Sequence, residues 1–390
     1  MARSKLATLG FAIALSLAAL RAYQFPAYTS DEFVYMANAV AMHGAHAPEI
    51  HETIYRELYA GIPKNILDHL LGHDPVETAT SRSFHERAVD PYRFAEFLPC
   101  FAVRPIFNEL VYVLHYWLGI SLLHATVLIP VVSYWVLGWF VFIWISRYTP
   151  MPWAALVSVL LLLTPPVWDL ARSPTPDALS CMTLLLALYL ILEKNYLAPG
   201  FAILLASVYV RTDNALLVLT VIAYLSIIEG RLEKAMAVVL AAVAIASVML
   251  INHFAGDYGA RMLYYRAFIA PPIAPGEMIP TFGFHDYAAA LRSGLAGVIH
   301  GDFAAFGLMG VIGLLHRPSR ALLNLTVITV LYSAGRFVVF PLADARYFAL
   351  FFVVMGILPA SSSGWPKDAP KRQAGSKLDI NEKGPIRDRP

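Results

Sequence analysis

Long apolar runs separated by short polar connections make up most of this chain. A helix that crosses a bilayer needs about 20 mostly apolar residues, and about ten runs approach that length. The pattern therefore predicts an all-α, polytopic membrane protein with about ten transmembrane helices. We place these helices near residues 6–25, 119–146, 151–169, 176–193, 196–210, 214–229, 234–252, 301–316, 320–340 and 345–360.

Basic residues in the short connections predict the orientation, because lysine and arginine collect on the cytoplasmic side. With Arg3 and Lys5 inside, alternation places the following basic residues inside as well: Arg147, Lys194, Arg231, Lys234, Arg317 and Arg320. Both termini are then cytoplasmic, and residues 26–118 and 253–300 form two large outer loops. Residues 105–118 have apolar side chains at helical spacing, which predicts a juxtamembrane helix lying on the membrane.

The two ends of the chain have distinct compositions. The first apolar run has the length of a signal peptide, but nine further runs follow it, so we interpret it as a retained anchor. Residues 361–390 are rich in Pro, Gly and Ser, which predicts a disordered cytoplasmic tail. Residues 1–360 then form a single transmembrane domain.

The composition agrees with a membrane protein. The chain is 58% hydrophobic and 14% charged, whereas soluble domains average about 45–50% apolar and about 25% charged residues. A net charge of +2 implies no bulk attraction to nucleic acid, so we expect no nucleic-acid partner. The two cysteines, Cys100 and Cys181, lack the spacing of a disulfide framework or a metal motif.

An acidic pair, Asp31 and Glu32, directly follows the first span. Thr29 and Glu32 have the spacing of a helix capping box, and Gly44 is suited to end the helix. An ionised carboxylate at a helix N-terminus can accept a hydroxyl proton or hold a divalent cation. The alternative interpretation is ordinary capping of a surface helix.

Three further groups of charged residues lie at predicted outer helix ends. They are Asp169, Arg172 and Asp177; Arg211 and Asp213; and Arg336, Asp344, Arg346 and Tyr347. Arginine side chains suit a phosphate group, because the planar guanidinium matches its oxygens. The alternative is helix capping and anchoring at the membrane interface. Because the inner helix ends show basic residues without a comparable mix of Asp and Arg, we interpret the outer groups as one site.

Histidines crowd the first outer loop but match no metal-binding motif. They are His43, His46, His51, His69, His73 and His85. We interpret them as polar loop residues, and the participation of a divalent cation as cofactor stays open.

The order of these features resembles the membrane-embedded glycosyltransferases of the GT-C type. The branch that it resembles contains protein O-mannosyltransferases and lipid A aminoarabinose transferases. The segment SDEFVYMANAV is similar to the acidic pair after their first span, and VRPIFNELVYVLHYWLG, with Arg104, is similar to their juxtamembrane stretch. Asp177, Arg211 and the pair Arg346–Tyr347 match further positions. The proline that often follows the Arg-Tyr pair is absent here.

This resemblance implies an inverting transfer of a sugar from a polyprenyl-phosphate donor to a hydroxyl on a glycan, lipid or protein acceptor. It implies catalytic roles for Asp31, Glu32 and Asp177, with an outer-loop Asp as the base. It implies substrate binding by Arg104, Arg172, Arg211, Arg346 and Tyr347. The expected location is a bacterial inner membrane, with the active site facing outward and membrane lipids around it. One alternative function is a transporter or flippase for a lipid-linked or anionic substrate, although no inverted repeat is visible. A second alternative is an assembly or scaffold subunit without catalysis.

Overall fold

The computed structural model describes residues 2–73, 78–258, 264–265, 268, 283–299 and 301–362. These residues are 83% helical and include no strand, which confirms the all-α class. The predicted disordered tail from residue 363 onward lies outside the described residues, as does much of the predicted outer loop 253–300.

The N-terminal part of the chain is one long helix followed by seven shorter ones. Their bounds are α1 Ala2–Gln24, α2 Ser30–Met42, α3 Ala47–Gly61, α4 Lys64–Leu70, α5 Ala79–Val89, α6 Pro91–Ala95, α7 Leu98–Ala102 and α8 Pro105–Tyr112. A π-helical turn, Val113–Trp117, extends α8, so the predicted helix over residues 105–118 is present. Helix α2 ends at Met42, and Gly44 follows with a positive φ of 92°. This agrees with the prediction that Gly44 ends the helix, because glycine adopts positive φ without strain.

The remaining helices follow the apolar runs. Their bounds are α9 Leu122–Ser146, α10 Met151–Leu162, α11 Pro165–Arg172, α12 Asp177–Leu188, α13 Leu197–Val210, α14 Ala215–Ala223, α15 Lys234–Phe254, α16 Phe284–Ile299, α17 Asp302–Leu315, α18 Arg320–Val339 and α19 Ala349–Ser362. One π-helical turn extends α12 and another extends α14, and 3₁₀ turns precede α14 and α19.

Several helices fit a multi-pass membrane protein. Among the described residues, four helices are long and apolar enough to cross a bilayer, and these are Ser4–Gln24, Leu122–Ser146, Lys234–Phe254 and Arg320–Val339. The number rises to seven if three bent helix pairs each count as one span. Each of the ten predicted spans coincides with one or two helices, but the count of ten and the membrane sidedness remain predictions.

Helix α2 is buried on all sides rather than on one stripe. Its apolar sequence packs against α3, α7, α8 and α9, as expected of a helix that is hydrophobic all round. The Tyr35 ring meets the rings of Phe101 and Phe107 edge to face, with centroids 5.1 and 4.8 Å apart. This packing holds the first turn of α2, which carries Asp31, in a defined place beside the helix bundle.

The connections of the bundle meet at two ends. At one end, Arg172 Nε donates a hydrogen bond to the Phe25 carbonyl at 3.0 Å, which joins the α11–α12 connection to the α1–α2 connection. At the other end, Arg147 lies 3.6 Å from Glu193, and Arg320 lies 2.8 Å from Glu229. The predicted inner end therefore also mixes acidic and basic residues, so charged pairs are not confined to the predicted outer end.

Candidate functional site

Three arginine side chains surround the ring of Tyr347. The Cζ atoms of Arg346, Arg211 and Arg336 lie 4.9, 5.1 and 5.2 Å from the ring centroid. Four aspartates pair with these arginines. We call the eight residues the Arg/Asp cluster, and its members are Asp31, Asp177, Arg211, Asp213, Arg336, Asp344, Arg346 and Tyr347.

Arg346 connects the start of α2 to the turn before α19. Its Nη1 lies 3.3 Å from Asp31 Oδ2, and its Nε donates to Asp344 Oδ2 at 2.9 Å. Its backbone N–H also donates to Asp344, and its Nη2 donates to the Tyr347 hydroxyl at 3.1 Å. These contacts hold the guanidinium between two carboxylates, and charge-assisted hydrogen bonds of this kind are among the stronger ones.

Arg211 joins α12 to the 3₁₀ turn before α14. Its Nε and Nη2 donate to the two oxygens of Asp213, both at 3.1 Å, and it forms an ion pair with Asp177. Asp177, the first residue of α12, also accepts a hydrogen bond from the Thr175 hydroxyl at 2.7 Å. Both Asp177 and Arg211 are buried, and a buried charge of this kind requires a partner.

Arg336 lies near the C-terminal end of α18 and adds a further ion pair to the Arg/Asp cluster. It forms an ion pair with Asp213, and its Nη1 donates to the Tyr332 hydroxyl at 3.2 Å. Its Nε is shielded from solvent and has no hydrogen-bond partner among the described residues. This buried guanidinium N–H therefore has a hydrogen-bonding capacity that the described residues do not use.

The sequence pointed to Arg336, Asp213 and Asp344 as charged residues but assigned them no role. All three belong to the Arg/Asp cluster. The available local signal was an arginine in the last turn of an apolar helix, four residues after Tyr332. Such a signal does not identify the partner, which lies in another helix connection.

Arg104 flanks the Arg/Asp cluster at the junction of α7 and α8. Its guanidinium lies 5.6 Å from the Tyr35 ring centroid and interacts electrostatically with Tyr347, Asp31 and Asp213. Arg172 differs, because its contacts are Asp169 at 3.7 Å and the Phe25 carbonyl. The structure thus places Arg104 beside the cluster, and it places Arg172 in contact with the linker before α2.

Glu32 lies beside Asp31 in sequence but has a different environment. It is 0% exposed, and its Oε1 accepts a hydrogen bond from the Thr126 hydroxyl of α9 at 2.7 Å. Burial raises the pKa of Glu32 to about 8, with the Thr126 hydrogen bond acting in the opposite direction. At neutral pH this carboxyl is therefore mostly protonated, unlike a carboxylate that serves as a general base.

The predicted capping box is wrong. Thr29 occupies the N-cap position of α2, but its side chain makes no capping hydrogen bond. Glu32 turns instead toward α9, because α2 is packed against other helices where it begins. The sequence has the residue spacing of a capping box, but Glu32 packs against α9 and bonds to Thr126 there.

The Arg/Asp cluster borders two cavities. A small polar pocket of about 20 Å³ is lined by Asp177, Arg211, Arg336, Arg346 and Tyr347, together with residues of α12 and α19. A larger cavity of about 260 Å³ lies between α14, α15 and α18, and its lining is mainly apolar. Asp213 and Arg336 also line this larger cavity. Arg336 therefore stands where a polar pocket meets an apolar one.

Metal ligation finds little support in the part of the chain that the structure describes. No group of three or more His, Cys, Asp or Glu residues there could hold a metal ion. Two of the loop histidines stack on tyrosine rings, His43 on Tyr116 at 4.1 Å and His51 on Tyr55 at 4.2 Å. These contacts agree with the interpretation of the histidines as polar loop residues.

The site can bind an anion and accept a proton. Its arginines can donate to the oxygens of an anionic group, and Asp31 is a carboxylate held beside them. No protein-family profile, curated protein or solved structure matches this chain.

Proposed function

We propose that this protein is a membrane glycosyltransferase. It moves a sugar from a polyprenyl-phosphate donor to a hydroxyl acceptor at the end of the bundle that holds the Arg/Asp cluster. We place the protein in a bacterial inner membrane, with the end that holds the Arg/Asp cluster facing outward. The observation that carries it is the position of Arg336, which lines both the polar pocket and the apolar cavity.

The unpartnered Nε of Arg336 supports an anionic ligand. Leaving a buried donor without an acceptor costs about 1–3 kcal/mol, and more for a charged group. A phosphate oxygen at this position would remove that cost, and Arg211 and Arg346 lie around the same tyrosine ring. Their planar guanidinium groups match phosphate geometry better than ammonium groups would.

The apolar cavity supports a hydrocarbon chain attached to that anion. Its wall is formed by side chains such as Leu216, Leu219, Val248 and Val339, and a hydrocarbon chain in contact with them would bury apolar surface. A molecule that fits both environments has a long apolar tail and a phosphate at one end. A polyprenyl-phosphate sugar has this form, and its phosphate would lie at Arg336, where the two cavities meet.

The chemistry assigns separate roles to the carboxylates. The acceptor oxygen forms a bond to the anomeric carbon while the bond from that carbon to the phosphate oxygen breaks, which inverts the configuration. The hydroxyl proton passes to Asp31, and the phosphate leaves with the electron pair while Arg336 and Arg346 stabilise its charge. Asp177 positions Arg211. Glu32, mostly protonated at neutral pH, positions the start of α2 through Thr126.

The test is transfer by the purified full chain in lipid nanodiscs. The donor is a polyprenyl phosphate carrying a radiolabelled sugar, and the acceptors are a lipid, a glycan and a peptide hydroxyl. We expect labelled product from the wild type and at least a tenfold loss in Arg336→Gln. The matched control is Arg320→Gln at the opposite end, whose side chain is 80% exposed and which should retain transfer.

The same preparation tests the transporter alternative. In proteoliposomes, movement of a fluorescent polyprenyl phosphate between leaflets without sugar transfer to any acceptor would favour a flippase. Transfer that depends on Arg336 while the lipid stays in its leaflet supports the glycosyltransferase.

A further inference from the structure

Asp213 binds two arginine side chains at once. Arg211 Nε and Nη2 donate to its two carboxylate oxygens, both at 3.1 Å, and Arg336 forms an ion pair with its Oδ2. Burial alone would raise the pKa of Asp213, but the charges of Arg211 and Arg336 outweigh burial and hold this pKa well below its usual range. Asp213 is therefore an ionised carboxylate at physiological pH, and it occupies donors of both arginines.

These donors are the ones that a phosphate would use. A guanidinium presents two parallel N–H groups, and they fit the oxygens of a carboxylate and of a phosphate in the same way. One pair of N–H groups cannot bind both anions fully. A phosphate that approaches Arg211 and Arg336 therefore competes with Asp213 for them.

Asp213 is also the most exposed of these three side chains. It is 25% exposed, whereas Arg211 is 8% and Arg336 is 5% exposed. Asp213 lines the larger, apolar cavity together with Arg336. An anion that enters from this cavity thus meets a carboxylate that covers the two guanidinium groups, and the same cavity gives the displaced carboxylate space to turn into.

The charges of this region balance without a ligand. Arg104, beside the Arg/Asp cluster, makes four arginines against the four aspartates of the cluster, so their formal charges cancel. The product of the proposed transfer is a phosphate monoester, which carries roughly 1.5–2 negative charges at pH 7, more than the diester of the donor. Arginines alone would hold this product more tightly than the donor. A carboxylate that returns to the arginines lowers that affinity and promotes release.

We propose that Asp213 is an internal competitor for the phosphate site. It binds Arg211 and Arg336 in the empty protein, gives them up to the lipid phosphate, and returns to them as the product leaves. The inference rests on the proposed function and adds to it a residue that controls phosphate affinity and product release. In the alternative role, Asp213 only positions the two arginines for phosphate, and the two roles predict opposite effects of removing its charge.

The test is equilibrium binding of radiolabelled farnesyl phosphate, a short polyprenyl phosphate, to the purified full chain in detergent. Asp213→Asn should bind it about tenfold more tightly than the wild type, the factor expected if Asp213 holds the arginines about nine-tenths of the time. Farnesol, which lacks the phosphate, should bind both proteins equally. Equal or weaker binding of farnesyl phosphate by Asp213→Asn would overturn the proposal.

Asp177→Asn is the matched control for net charge. It removes the same charge from the other partner of Arg211, but Asp177 is only 4% exposed and does not line the larger cavity. Asp177→Asn should therefore not tighten the binding of farnesyl phosphate. An equal gain in Asp177→Asn and Asp213→Asn would assign the effect to net charge and overturn the competition.

Two further variants keep the test decisive if Asp213→Asn does not fold. Asp213→Ser is neutral and smaller, so it should reproduce the tenfold gain in affinity. Asp213→Glu keeps the charge and can still pair with Arg211 and Arg336, so its affinity should stay as low as that of the wild type. A gain in Asp213→Glu as large as that in Asp213→Ser would contradict a competing charge.

Kinetics separate this inference from the proposed function. Asp213→Asn should lower both the turnover number and the KM for the donor, because the product phosphate is held longer and its release limits the rate. If the wild type transfers no sugar while the tenfold difference in binding persists, the proposed function fails and Asp213 still competes with an anion. If the wild type transfers sugar but Asp213→Asn binds farnesyl phosphate no more tightly, the inference fails and the proposed function stands.

Discussion

Arg346 Nη1 lies 3.3 Å from Asp31 Oδ2, which joins two residues 315 positions apart in the sequence. The contact connects the first helix after α1 to the turn before the last described helix. It places a carboxylate that can accept a proton beside a guanidinium that can bind phosphate. The relationship predicts that each residue affects transfer more strongly than it affects folding.

Asp31→Asn should lower the turnover number by about two orders of magnitude, the typical contribution of a general base. The substitution preserves the shape of the side chain and removes its charge, so insertion into the membrane and thermal stability should change little. The measurement is transfer of labelled sugar from a polyprenyl-phosphate donor. Asp68→Asn, at a partly exposed position beside His73, is the matched control, and near-normal transfer by Asp31→Asn would exclude Asp31 as the base.

Arg346→Lys should raise the KM for the donor about tenfold or more, because lysine keeps the charge but loses the planar pair of donors. Arg320→Lys, a conservative change at the opposite end of the bundle, should leave donor binding unchanged. The measurement is the donor dependence of the transfer rate. An unchanged KM in Arg346→Lys would mean that this residue orients Asp31 or anchors the turn without binding phosphate.

Exposed positions can report the topology. Glu52→Cys should react with an impermeant thiol reagent added outside intact cells, because residues 26–118 are predicted to face outward. Arg320→Cys should react only after permeabilisation. Both side chains are largely exposed, and the native Cys100 and Cys181 are buried, so background labelling should be low. The opposite labelling pattern would invert the proposed orientation.

The apolar runs were sufficient to predict a helix in each expected span, and the local sequence also predicted the stop of α2 at Gly44. The short helices α3 to α7 of the first predicted outer loop were not predicted, because no long apolar run marks them. The Arg/Asp cluster was only partly predictable. The pairing of Asp213 with Arg336 joins two distant helix ends, and no local pattern identifies such a tertiary contact. Arg172 and Arg336 both lie in the last turn of a helix, yet only Arg336 reaches the cluster.

Glu32 shows how burial can override a local motif. Its spacing from Thr29 is that of a capping box, which costs little to form at an exposed helix end. The start of α2 is instead packed against α9, so the carboxyl is withdrawn from solvent and bonded to Thr126. The environment of a side chain, rather than its position in a motif, then determines its protonation.

This protonation predicts how stability depends on pH. Burial raises the pKa of Glu32 from 4.5 to about 8 in the folded protein, so between these values the unfolded chain holds fewer protons than the folded one. Stability should therefore fall as pH rises from about 5 to about 8 and level off above that. The glutamine of Glu32→Gln stays neutral and can still accept a hydrogen bond from Thr126. This variant should therefore depend less on pH and should melt a few degrees higher than the wild type at pH 8. Its turnover should be largely unchanged. Melting curves of both proteins in one detergent from pH 5 to 9 test this. A dependence as steep in Glu32→Gln as in the wild type would assign it to other groups.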